Sequence, residues 1–164
     1  MLKMKRSLLI LSLFFCCIGV RAQTISMFEL INLTSLTATQ IDNYFLSTKT
    51  FKLQFGEEVN GNVLKHYQTT SSANKQETVI TGSGYKTASG SILYTVSYVT
   101  SDPQNIINMV TQTKAVNLKL SFQGADKSNN IYIYDNFLYH VVIKLNFSQT
   151  NGVVDITQKQ VFVQ

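Results

Sequence analysis

The chain contains two imidazoles, His66 and His140, and each lies beside a tyrosine (Tyr67, Tyr139) in a stretch of alternating polarity. Imidazole moves protons or binds metals near neutral pH. A metal centre needs further His, Asp or Glu at short fixed spacings. No HxH, HExxH or DxD pattern occurs, so no metal or cofactor is expected, and both histidines read as surface or half-buried strand residues. Serines abound, which leaves room for a hydrolase centred on His140. GxSxG is missing, however, and Gly82-Ser83-Gly84 falls in a bend rather than between a strand and a helix. GSGYKTASG at 82–90 is similar in composition to a phosphate loop. It lacks the Gly-Lys-Ser/Thr ending and precedes a strand, so no helix N-terminus would meet an anion; it reads as a flexible hairpin. Glu57-Glu58 with Asn60 and Asn62 offers oxygen ligands for calcium, but not at EF-hand spacing, and reads as a solvated turn. Asn32-Leu33-Thr34 and Asn146-Phe147-Ser148 are sequons that matter only in a host that glycosylates.

A binding surface is the better use of these side chains. If Ile131 and Ile133 point toward covering helices, Tyr132 and Tyr134 point away, because strand side chains alternate. His140 and Lys144 would share that face, opposite to Val141, Ile143 and Leu145. Tyr67 lies 65 positions before Tyr132, the offset of an internal repeat, and is its counterpart. Tyrosine and histidine on a rigid sheet give contact area and hydrogen bonds at small entropic cost. Tyr67, Tyr132, Tyr134, His140 and Lys144 are therefore the expected ligand-binding residues, and catalysis is not expected.

These side chains are positioned by a pattern that occurs twice. IDNYFLSTKTFKLQF at 41–55 aligns with IINMVTQTKAVNLKL at 106–120 at a constant offset of 65 positions. Ile41 and Ile106, Asn43 and Asn108, Thr48 and Thr113, and Lys49 and Lys114 are identical pairs. Both copies change from helical 3-4 spacing to strict alternation at the same point. Thr37 with Gln40 has the form of a capping box, and Asp102-Pro103 suits a helix start. Strands are expected at 51–55, 63–70, 77–81 and 92–100 in the first copy, and at 116–122, 131–134, 138–147 and 153–163 in the second. Turns fall at Asn60-Gly61, Asp135-Asn136 and Asn151-Gly152. A further apolar helix is expected at 25–33. The expected fold class is α+β: tandem helix-plus-four-strand repeats, at about 37–101 and 102–163, forming one antiparallel sheet with helices packed on one face.

The front of the chain reads as an address. Lys3, Lys5 and Arg6 precede the apolar run SLLILSLFFCCIGV, and Val20-Arg21-Ala22 suits a signal peptidase. Residues 1–22 are expected to be a signal peptide and 23–164 a single domain, secreted or periplasmic, with no integral membrane segment after cleavage. Both cysteines, Cys16 and Cys17, belong to the leader. The expected domain has no thiol, and it carries ten basic residues against nine acidic. The basic isoelectric point comes mainly from the leader, so nucleic acid is not an expected partner.

The signal ending at Ala22-Gln23, the short apolar helix and the unit ending STKTFKLQ resemble small exported proteins of unknown function in Bacteroidetes-type bacteria. The tandem layout is similar to that of the β-lactamase inhibitor protein family, whose two repeats form a concave sheet that grips a partner enzyme. That family carries disulfides, which a domain without cysteine cannot form. The resemblance is one of layout and names no partner. The tandem layout, the tyrosines and the lack of a catalytic set lead to the expectation of a non-catalytic binding module that uses its helix-free sheet face against a protein, glycan or apolar ligand, with a protein or glycan of the cell envelope as the expected partner. A hydrolase with an unrecognised His-centred site and a structural envelope component are the alternatives.

Overall fold

The computed structural model describes residues 24–70 and 76–160 of the chain. The expected signal peptide, a loop expected from the sequence at 71–75 and the end of the final expected strand lie outside them. Helix α1 (Met27–Leu33) begins at a capping box: Ser26 Oγ accepts from the Glu29 N–H, and the Glu29 carboxylate accepts from the Ser26 N–H at 2.7 Å. Helix α2 (Ala38–Thr48) repeats the device with Thr37 and Gln40. It stops at Lys49, whose φ of 56° is a left-handed cap. Helix α3 (Pro103–Gln112) starts from Asp102, which accepts from the Gln104 N–H, with proline in the first turn, where an N–H would have no partner. A 3₁₀ turn, Thr113–Val116, extends it to Asn117, again left-handed at φ 56°.

The strands are β1 (Phe51–Val59), β2 (Asn62–Thr69), β3 (Glu77–Lys86), β4 (Ile92–Thr100), β5 (Lys119–Ala125), β6 (Asn129–Asp135), β7 (Tyr139–Asn146) and β8 (Gly152–Gln158). They form one antiparallel eight-stranded sheet in the order β1-β2-β3-β4-β8-β7-β6-β5. Two four-strand meanders thus meet where β4 pairs with β8, and α3 carries the chain from the centre to the far edge. The fold class is α+β with an antiparallel sheet.

The core lies between the helices and one sheet face. Met27, Leu30, Ile31 and Leu33 of α1, Ile41 and Phe45 of α2, and Ile106 and Met109 of α3 are buried against Tyr67, Val79, Val96, Tyr98, Val141, Ile143, Val154 and Ile156. Each such large side chain contributes on the order of 1.5–3 kcal/mol by leaving water. Gly152 lets α3 approach: a Cβ there would stand 2.3 Å from Ile106 Cγ1. Gly82, at φ 91°, sits where β3 is irregular; a Cβ would meet the Val63 carbonyl oxygen at 2.1 Å.

Several expectations are corrected. The strand expected at 116–122 is Lys119–Ala125, because the 3₁₀ turn takes up Val116. The bend expected at 82–90 is strand to Lys86. Asp135 ends β6, and the turn is held by Asn136, whose Oδ1 accepts from the N–H groups of Leu138 and Tyr139 at 2.8 Å each. Gly152 opens β8, and Phe147, which continues the alternation of Val141, Ile143 and Leu145, is exposed because β7 ends at Asn146.

Candidate functional site

The register fixes which side chains share the helix-free face. Tyr67 pairs with Val79, Tyr134 with Val141 and Tyr132 with Ile143, and those partners are fully buried under the helices. Tyr67, Tyr132 and Tyr134 therefore face the helices, contrary to the expected orientation. Ile131 and Ile133 face away from them. Tyr67 is 1 % exposed, stands 4.7 Å from the Phe45 ring centroid and donates to Asp42 Oδ1 at 2.6 Å. Lys65 Nζ lies 2.5 Å from the other Asp42 oxygen. Hydrogen bonds from Lys65 and Tyr67 hold the Asp42 carboxyl below its ordinary pKa, and burial pushes the Tyr67 hydroxyl up. Tyr134 is buried and Tyr132 is packed against the core. Of the five expected binding residues, His140 and Lys144 lie on the helix-free face, in rows on either side of Val142.

The central row of that face crosses all eight strands: Phe55, His66, Ile80, Ser97, Asp155, Val142, Ile133 and Phe122 are successive cross-strand neighbours. Phenylalanines stand at both ends, 47 % and 50 % exposed. They face away from the core because of two bulges. In β1 the register shifts between Leu53 and Phe55, and in β5 between Leu120 and Phe122. One extra residue, Gln54 or Ser121, moves the next side chain to the opposite face. Phe55 stacks on His66 at 4.2 Å with rings 16° apart, and His66 Nε2 is 2.9 Å from Glu57 Oε1. At the centre Ser97 donates to Asp155 at 2.6 Å. Ile80, Val142 and Ile133 between them are half-buried.

The neighbouring row holds Thr95, Thr157, His140, Asp135 and Lys119. Here Asp135 is the hub. It receives Ser121 Oγ at 2.6 Å, stands 3.0 Å from His140 Nδ1, and pairs with Lys159 Nζ at 2.6 Å. Burial works to raise its pKa, but the bonds from Lys159, Ser121 and His140 outweigh it and hold the carboxyl well below the usual range. Ser121 and His140 each bond the carboxylate rather than each other. The serine proton therefore has no imidazole in hydrogen-bonding contact, and the order is not that of a Ser-His-Asp triad. Among the described residues, no group of three or more His, Cys, Asp or Glu could hold a metal ion, and no helix is long and apolar enough to cross a membrane.

Sequence reasoning missed Phe55, His66 and Phe122 as residues of this face. Alternation alone puts both phenylalanines inside, and nothing in the residue types marks Gln54 or Ser121 as a bulge. Comparison with family models, with curated proteins and with solved structures finds no match to the chain.

Proposed function

We propose that the chain is a secreted or periplasmic non-catalytic binding module that presents the helix-free sheet face to a protein or glycan of the cell envelope. The observation that carries this reading is the pair of bulges that place Phe55 and Phe122 in water at the two ends of one row. Exposed aromatics ordinarily cost solubility, and paired across a rigid sheet they fit a contact surface. His140 and Lys144 supply polar contacts beside the apolar Val142 and Ile133.

The proposal includes the doubling of one helix-plus-four-strand unit, and with it the likeness of layout to the β-lactamase inhibitor protein family. Each meander follows its own helix, and the fourth strands of the two meanders pair at the centre. Leu53 opposite Tyr67 and Leu120 opposite Tyr134 each stand immediately before a bulge. This correspondence pairs Tyr67 with Tyr134 rather than with Tyr132. The 3₁₀ turn lengthens the second link between helix and strand, so the offset that aligns the helices does not carry through the strands.

The test is capture of envelope glycans on an array, and of envelope proteins by photo-crosslinking from Val142, with the wild type and the Phe55→Ala/Phe122→Ala variant compared. The double variant is expected to keep its circular dichroism spectrum and lose the ligand. Equal capture by the variant overturns the reading.

A further inference from the structure

Among the described residues β1 is an end strand of the sheet, and its charge pattern is complementary to itself. It reads FKLQFGEEV, with Lys52 near one end and Glu57 and Glu58 near the other. A two-fold axis between Gln54 and Phe55 would lay a second β1 antiparallel to the first. Lys52 then stands opposite Glu57, Leu53 opposite Gly56 and Phe51 opposite Glu58. Facing side chains of a strand pair must lie on the same side of the sheet. They do: Lys52 and Glu57 pair with Gln68 and Leu64 of β2 on the helix-free side, whereas Phe51, Leu53, Gly56 and Glu58 pair with Thr69, Tyr67, Lys65 and Val63 on the helix side. The bulge at Gln54 makes the match possible. In a regular strand Lys52 and Glu57 would point to opposite faces.

The apolar surface beside this edge agrees. α2 and β1 frame an open groove of about 430 Å³ whose apolar part is Phe45, Leu46, Phe51 and Leu53 and whose polar part includes Asp42 and Lys49. Leu46 is 76 % and Leu53 50 % exposed, so the helix side of the edge presents an apolar patch, with Asp42, Lys49 and Glu58 around it, while Lys52 and Glu57 stand on the helix-free side. The opposite edge, β5, reads KLSFQGA and has no carboxylate to answer Lys119.

We infer that two copies of this chain pair through their β1 edges, antiparallel, about a two-fold axis at Gln54–Phe55. Lys52 of each copy faces Glu57 of the other, and the Leu46–Leu53 grooves close on one another. Such an isologous contact covers both free β1 edges and ends at two copies. Phe55 of the central row lies at this axis, and Glu57 also bonds His66 of that row, so the two readings share part of β1. The test turns on Lys52, which lies outside the row, and so separates them.

Sedimentation equilibrium of the purified protein across a wide concentration range is the test, with circular dichroism as the fold control. The wild type is expected to be a dimer. Lys52→Glu sets carboxylates opposite one another and is expected to weaken the dimer by about tenfold or more, as like charges in apposition do. Lys52→Glu/Glu57→Lys restores the opposed pairing and is expected to recover it. A wild type that stays monomeric overturns the inference. So does a dimer indifferent to Lys52→Glu, or assemblies that keep growing with concentration, which would mean that β1 meets β5.

Discussion

Ser97 Oγ donates a 2.6 Å hydrogen bond to Asp155 Oδ1 across the seam between β4 and β8, where the two meanders join. A hydroxyl bound to a carboxylate on a half-covered face is worth about 1–2 kcal/mol. Ser97→Ala should lower the unfolding free energy by that amount in urea titration. Ser97→Ala/Asp155→Ala should cost less than the sum of the single changes, because the pair acts as one unit.

A methyl group at Gly152 would overlap the Ile106 side chain beneath α3. Gly152→Ala is expected to destabilise the fold by about 1–3 kcal/mol, the usual cost of overfilling a packed core. In the Ile106→Ala background the same change should cost less, and a thermal-melt cycle of the four proteins measures the coupling. Strict additivity would mean that α3 shifts as a body to make room.

Glu77 is 6 % exposed and receives Tyr98 OH at 2.9 Å and Thr24 Oγ1 at 2.7 Å. Burial, reinforced by the Glu77 charge, pushes the Tyr98 hydroxyl far above the usual phenol range, so it remains a donor at any ordinary pH. Tyr98→Phe leaves a buried carboxylate short of a partner and should cost about 1.5–3 kcal/mol. Tyr44→Phe removes a similar bond to Glu29 at 2.8 Å, but at a part-buried site, and should cost less. Chemical denaturation of the two variants compares a buried bond with a wetter one.

The Asp135 carboxyl is held well below its ordinary range in the folded chain by Lys159, Ser121 and His140. Its contribution is therefore complete above the unfolded carboxyl value of about 3.9 and is lost as pH falls from there toward the lower folded value. Asp135→Asn should flatten the acid limb of the stability–pH curve below about pH 4. An unchanged limb would mean that other carboxylates govern acid unfolding.

The helices are legible in the residues because caps and spacing agree: Thr37 with Gln40 and Asp102 with Pro103 mark two starts, and Ile41 and Phe45 turn inward as the 3-4 pattern requires. The alternation Val141, Ile143, Leu145 likewise identifies the buried face of β7. The edge strands mislead because a bulge reverses every later side chain, and Gln54 and Ser121 carry no signature of one. For Tyr132 and Tyr134 the difficulty is that each strand residue around them is large. Ile131, Tyr132, Ile133 and Tyr134 show no polar alternation, so only pairing with Val141 and Ile143 decides which side is wet. The helix-free face thus keeps His140 and Lys144, and Phe55, Tyr85 and Phe122 present exposed rings there in place of the expected tyrosines.

The sheet order sets a sequence of events for the nascent polypeptide. β8, the last of the eight described strands in chain order, lies in the middle of the sheet between β4 and β7. Until Gly152–Gln158 has emerged, β4 and β7 each have an unsatisfied ladder, and exposed strand edges of this kind recruit other chains. Translation that stops short of Gly152 would leave half-sheets prone to clumping rather than a slightly shortened protein, and a molecular escort during synthesis would have most to guard in that interval.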